Sequence, residues 1–369
     1  MARSKARTAA QNAPRGIAGN MAELASRFGT EEACERHMLS LRWPGGFECP
    51  RCGHRSYARV SGRREFCCSS CRWQFSATSG TCIAHTKLPL TRWFRAAYMV
   101  CADPRGASAQ AVARECGVSD ATGTAMLRRL RTAMGWAMAL CRVGGDWVEL
   151  DGTDLACGND GSSCHMAGSG ATDAHVLAAV SGSRLVLRQA SDRTAGSVQA
   201  FCAAHVSRGC EVRSDLCTSY ASALAGGWRL RSWRSGGGGD APESLPAAHH
   251  VFSNLKAKLA GTCHGVSAER LQEHLDEFSW KYCHRDADQM AGLLGEVARW
   301  PHVRLADIRG VRGPLGPHAP GREPGYKHDR AIEYRWRDGL RQRLVDALAT
   351  ASMVKLAGQA ATTPGLTHL

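Results

Sequence analysis

No run of 18 or more apolar residues occurs anywhere in the sequence, so no transmembrane helix is expected. The first segment, MARSKARTAAQNAPRG, is basic but has no apolar core, so no secretory signal is expected either. No internal repeat is visible. Acidic residues are in deficit: 33 Asp and Glu stand against 47 Lys and Arg, a formal net charge of +14. Such a balance favours a polyanionic partner, nucleic acid or an acidic membrane surface, although a soluble protein can be basic without one. Cysteine, by contrast, is abundant. With no export signal, its 17 residues argue for metal ligands and buried thiols over a disulfide framework.

At 369 residues the chain exceeds one ordinary domain of about 100–200 residues, and its 44% hydrophobic content can fill more than one core. The pattern divides it into a basic flexible tail over 1–20, a helical lead-in over 21–46 and a cysteine-rich stretch over 47–82. A helical region follows over 86–141, then an α/β domain over 145–290 and a basic region over 291–369. In the helical region PLTRWFRAAYMVC carries an apolar face, with Thr91 as its expected cap. GASAQAVARECGVSDATGTAMLRRLRTAM reads as helix, turn, helix. Gly117 stops the first helix, Ser119 or Asp120 caps the second, and Arg128, Arg129 and Arg131 lie on the second. That is the grammar of a DNA-binding helix-turn-helix and equally of any compact helical hairpin.

Beyond Gly144–Gly145 the apolar period turns strand-like. DWVELDGTDL reads as a strand, HVLAAV and LVLRQAS as a hairpin, and TAGSVQAFCAAHVSRG as a helix closed by Gly209. CEVRSDL is a further strand, a long helix is expected over 267–284, and a short one over 331–349.

Two short motifs carry chemistry. Cys49-x2-Cys52 and Cys68-x2-Cys71 are separated by fifteen residues. Tetrahedral Zn(II) takes four thiolates from two such knuckles, and four protein ligands make the site structural. Cys67 competes with Cys68, and Cys82-x2-His85 is a second pair of the same spacing; free buried cysteines are the alternative. The other motif is a pair of carboxylates. Asp151 sits inside an apolar strand and Asp215 ends another, where an uncompensated charge is costly. Two such aspartates suit a shared divalent cation, whose hard oxygen ligands serve phosphoryl transfer; each alone is more often a turn or cap residue.

The segments CPRCGH, CSSCRWQFSATSGTCIAHTKLPLTRWF, VELDGT, SDLCTSY and HHVFSNLKAKLAGTCHGVSAERLQEHLDEF, with the helix-turn-helix, resemble the bacterial and archaeal insertion-sequence transposases. That group, ISXO-like, joins an N-terminal zinc ribbon to an RNase H-like DDE catalytic domain. The resemblance spans roughly 25–285. It implies a multidomain α+β protein that binds the terminal inverted repeats of its element, cleaves strands and joins them to target DNA. It further implies structural Zn(II), catalytic Mg(II) or Mn(II) in a two-metal phosphoryl transfer, and action as a homodimer or larger homo-oligomer on double-stranded DNA. The expected location is cytoplasmic, at a prokaryotic nucleoid, with no membrane partner.

By position, Asp151 and Asp215 correspond to the two catalytic aspartates. The third position, normally Glu, is followed seven residues later by a basic residue; Lys256 is that residue, so His249 takes the third position, 34 residues after Asp215. Imidazole suits Mn(II) better than Mg(II). His250 or Asn254 is the alternative ligand, and Lys256 and Lys258 are expected on DNA phosphates or on a solvated face. Three features depart from the pattern: Gly152 replaces an acidic residue, KYCHR replaces the usual arginines near the end of the long helix, and glycines crowd the loop before His249. These keep open a repurposed, non-catalytic DNA-binding relative, and behind it a nuclease without strand transfer.

Overall fold

A computed structural model describes residues 19–157, 172–215, 218–225, 227–233, 245–261 and 266–300. The basic tail before residue 19, the glycine run within 234–244, and the region beyond residue 300 with its expected helix over 331–349 lie outside those residues. The chain forms two compact units. One runs to Met134 and resumes at His284; the other starts at Gly135 and runs through Cys283.

The first unit opens with α1 (Met21–Phe28) and α2 (Glu31–Arg42). Asn20 and Glu23 cap α1 reciprocally, since Glu23 N–H donates to Asn20 Oδ1 at 2.8 Å and Gly19 N–H donates to Glu23 Oε2 at 2.7 Å. An antiparallel sheet of β1 (Tyr57–Arg59), β2 (Phe66–Cys68) and β3 (Gln74–Phe75) follows. Next come α3 (Leu90–Ala102), α4 (Ala109–Cys116) and α5 (Asp120–Ala139), whose last turns belong to the second unit.

Thr91 does not cap α3. The helix starts one residue earlier, and the Glu31 carboxylate, from the first turn of α2, accepts from Leu90 N–H at 2.8 Å and Thr91 N–H at 3.3 Å. A cap from 59 residues away is invisible to a local pattern. Between α4 and α5 the turn is tight: Gly117 takes φ +60, where a side chain is strained, and Ser119 Oγ accepts from Thr122 N–H at 3.3 Å. Gly123 lets the two helices touch, because a Cβ there would stand 2.7 Å from Ala109 O and 2.9 Å from Ala113 Cβ.

The second unit is a five-stranded mixed sheet. Its strands are β4 (Trp147–Cys157), β5 (Thr172–Ser181), β6 (Arg184–Ala190), β7 (Glu211–Asp215) and β8 (Arg229–Trp233), in the order β6-β5-β4-β7-β8. β4, β5 and β6 form an antiparallel meander, while β7 and β8 run parallel to β4. This is the arrangement expected of an RNase H-like domain. The helices are α6 (Ala195–His205), α7 (Thr218–Leu224), α8 (Pro246–Gly261) and α9 (Ala268–Cys283). α6 stops at His205, short of Gly209, because Val206 turns extended and its N–H bonds Cys202 O; Gly209 sits in the turn beyond at φ +82. Finally α10 (Gln289–Arg299) returns to the first unit and packs on α2 and α3.

Side chains alternate across a strand, and the alternation sorts the sheet. Leu155, Cys157, Val176, Ala178, Leu185 and Leu187 form one core with α8 and α9. Asp151 and Glu149 share the parity of Leu155 and therefore that face. Gly152, Asp154 and, on β5, His175 belong to the opposite face.

Candidate functional site

β4 and β7 bring the two aspartates together. Glu149 pairs with Arg213 in parallel register, and Asp151 and Asp215 each lie two residues beyond that pair. The strands thus present both carboxylates side by side on one face. Burial lifts the Asp151 carboxyl above the ordinary carboxylate value, and the Asp215 charge lifts it further; the Gly152 N–H, His249 and His175 oppose them. Asp151 Oδ1 accepts from Gly152 N–H at 2.8 Å. Asp215 Oδ1 is buried with no hydrogen-bond partner among the described residues. A buried carboxylate oxygen left unsatisfied next to a second carboxylate is costly unless a cation joins them, and hard oxygen donors suit Mg(II) or Mn(II).

α8 supplies the third group. His249 Nε2 stands 3.7 Å from Asp151 Oδ2, with its side chain 52% exposed. Its place is set from below by a residue that sequence reasoning passed over. Glu149 is 1% exposed, and its Oε2 accepts from Ala248 N–H at 2.9 Å in the first turn of α8. Burial raises the Glu149 carboxyl, while the Ala248 and Ala247 N–H groups hold it down. The signal was in WVELDGTDL: Glu149 precedes Asp151 by two residues and must share its face. His250 and Asn254 are exposed on α8, as is Lys256, two turns beyond His249.

Lys258 does not face solvent or DNA. It is 4% exposed, and its Nζ lies 3.1 Å from Glu277 Oε1 on α9, inside the core. The apolar stripe Ala248, Val251, Phe252, Leu255 and Leu259 runs through position 258, so helical spacing turns this lysine inward. Removing one member of a buried pair strands the other: Lys258→Ala is expected to cost about 3–5 kcal/mol in urea unfolding. Lys258→Met combined with Glu277→Leu is expected to return close to the parental stability.

Two of the three arginines on α5 are likewise turned in. Arg128 is 7% exposed among Met126, Leu127 and Leu130. Arg129 donates to Ala84 O at 3.3 Å and lies over the Trp93 ring, 6.0 Å from its centroid. Arg131 is half-buried. Exposed Arg95 and Arg114, with half-buried Arg92, line a cleft beside Gly117 that the sequence reading overlooked. The exposed start of α5 is Asp120 and Ala121.

The four knuckle cysteines converge. Their Sγ atoms all lie within 4.8 Å of one another, with Cys49–Cys71 at 3.6 Å and Cys52–Cys68 at 3.7 Å. A tetrahedron with Zn–S bonds of about 2.3 Å has edges of about 3.8 Å, so the set fits Zn(II). The two knuckles repeat one backbone pattern. Gly53 N–H bonds Cys49 O and Cys49 N–H bonds His54 O; Arg72 N–H bonds Cys68 O and Cys68 N–H bonds Trp73 O. Gly53 and Arg72 both adopt positive φ, +72 and +60. Cys67, one residue out of phase with Cys68, is absent from the cluster, as are Cys82 and His85; no other group of this kind occurs among the described residues. Phe75 packs between Phe47 and Trp73 beside the knuckles, with ring centroids 5.1 and 5.0 Å away.

A transposase zinc-ribbon domain model matches residues 29–74, over the knuckles, and an ISXO2-like transposase domain model matches 144–282, over the sheet with both aspartates and α8. The chain belongs to the insertion-sequence transposases with an N-terminal zinc ribbon. No curated protein matches it. The ribbon of this transposase carries a structural zinc site, and no described helix is long and apolar enough to cross a membrane.

Proposed function

We propose that this transposase binds the terminal inverted repeats of its element, cuts DNA at them and joins the cut ends to a target. The observation that supports it most is the side-by-side placement of Asp151 and Asp215, one of whose oxygens is buried without a partner. Asp151, Asp215 and, from α8, His249 hold the divalent cation. A divalent cation held there would supply Lewis-acid activation of an attacking oxygen, of water or of a DNA 3′-hydroxyl, and charge stabilisation of the leaving one. Lys256, exposed two turns along α8 from His249, contacts a backbone phosphate. The ribbon and the helix-turn-helix engage the repeats, with Arg92, Arg95, Arg114 and Arg131 on phosphates. Two or more copies assemble on the DNA, within the cytoplasm at the nucleoid.

A strand-transfer assay on supercoiled plasmid with pre-cut ends tests the reading. Joined product supports it, cleavage alone points to a nuclease, and retardation without either points to a repurposed binding protein. The same assay tests His249. His249→Ala is expected to cut strand transfer about tenfold or more, with partial rescue by Mn(II), and His249→Glu to retain Mg(II)-dependent activity as the harder ligand. His250→Ala is expected to be nearly silent. Parental joining by His249→Ala in Mg(II) removes His249 from the site and makes Asn254 the next residue to replace.

A further inference from the structure

Behind the carboxylates, on the opposite face of the sheet, lies a second polar cluster to which no role has yet been given. His175 on β5 is the cross-strand neighbour of Asp154, and its Nδ1 is 2.9 Å from Asp154 Oδ1. An ionised carboxylate can only accept, so Nδ1 carries the hydrogen and donates it to Asp154. Arg193 pairs with the other oxygen of Asp154. Burial is the largest influence on Asp154, yet the hydrogen bonds from His175 and Arg193 outweigh it and hold the carboxyl below its ordinary value. The dyad is thus fixed in one tautomer and one orientation.

The ring leans across onto Gly152. A Cβ at that position would stand 2.9 Å from His175 Cε1, 3.0 Å from His175 Nε2 and 3.0 Å from the Tyr220 hydroxyl. The space that a side chain at position 152 would need is filled by an imidazole and a phenol. Tyr220 is 6% exposed and lies on α7, five residues beyond Asp215. Gly152, in turn, follows Asp151 and donates the backbone hydrogen bond to its Oδ1.

We propose that His175, oriented by Asp154 and packed with Tyr220 against the bare backbone of Gly152, is a positioning residue that fixes Asp151 relative to Asp215 for a divalent cation. The inference rests on the reading of those two aspartates as cation ligands. His175 itself does not touch the cation. It ties the peptide that orients the first carboxylate to the helical turn that follows the second.

Titration calorimetry of Mn(II) into the zinc-loaded full-length protein, without DNA, tests this. His175→Ala is expected to weaken Mn(II) binding tenfold or more, and Tyr220→Phe several-fold. Gly152→Ala is expected to weaken it in the parent but to have little further effect in the His175→Ala background, where the added methyl has room. A role confined to stability would lower the melting temperature and leave the Mn(II) affinity of the folded protein unmoved. Affinity within twofold of the parent for His175→Ala, with binding lost in Asp151→Asn, overturns the inference and leaves the aspartate reading intact. Binding retained by Asp151→Asn overturns both. Should His175→Ala fail to fold, Tyr220→Phe, which loses one oxygen, decides: unchanged affinity overturns the inference.

Discussion

Replacing Asp151 by asparagine is expected to abolish strand cleavage and joining, a loss of about 10⁴-fold, while terminal-repeat binding stays within a few-fold of the parent. Asp215→Asn is expected to do the same. The amide is isosteric, and its oxygen can still accept the Gly152 N–H bond that Asp151 Oδ1 accepts at 2.8 Å, so the strand is undisturbed and only the charge is lost. Stability should move the other way. Burial and the Asp215 charge hold the Asp151 carboxyl above its ordinary value. The metal-free protein therefore loses stability as pH rises from the unfolded-state value through the raised folded-state value. An amide does not ionise, so metal-free Asp151→Asn is expected to melt above the parent at neutral pH, and Mn(II) to raise the melting temperature of the parent alone. Scanning calorimetry with and without Mn(II) reads both. Strand transfer at the parental rate by either variant removes that aspartate from the site.

Loss of zinc is the second large effect. Cys49→Ser, Cys68→Ser or Cys71→Ser leaves three thiolates where Zn(II) requires four, and apparent zinc-binding energies of about 10–16 kcal/mol are folding energy in modules this small. Each variant is expected to lose its zinc, to expose residues 47–75 to protease and to lose repeat-specific DNA binding. Cys67→Ser is expected to keep stoichiometric zinc, because Cys67 lies outside the sulfur cluster. The aromatic packing around Phe75 tempers the collapse without replacing the metal, since the strands it joins are only two or three residues long. Zinc content by metal analysis decides the matter: parental zinc in Cys49→Ser, or none in Cys67→Ser, breaks the assignment.

What the sequence disclosed and what it hid divide along physical lines. Paired knuckles and buried strand aspartates are short-range signals, visible because their chemistry tolerates little variation in spacing. β4 to β7 and α9 were legible from apolar period. β8 was not: RLRSW lies at the sheet edge with Arg229 and Arg231 exposed, and carries almost no apolar signal. Nor was α10, whose partners α2 and α3 come from the far end of the chain, Glu31–Arg42 and Leu90–Ala102. Lys258, Arg128 and Arg129 were misjudged because charge was weighed above position on the helix. For Lys258 and Arg128 the apolar neighbours at helical spacing already placed the side chain inside. Glu149 showed its face in the strand pattern but not its partner, Ala248 on α8, and the pairing of His175 with Asp154 comes only from strand register.

The carboxylate of Glu149 beneath α8 has a consequence for the segment that leads into that helix. The first turn of that helix is anchored to β4 through Ala248. Shortening or lengthening the sequence RSGGGGDAPES between Trp233 and Leu245 is therefore expected to leave His249 beside Asp151. Buried two residues before Asp151, Glu149 thus holds from beneath the helix that carries His249.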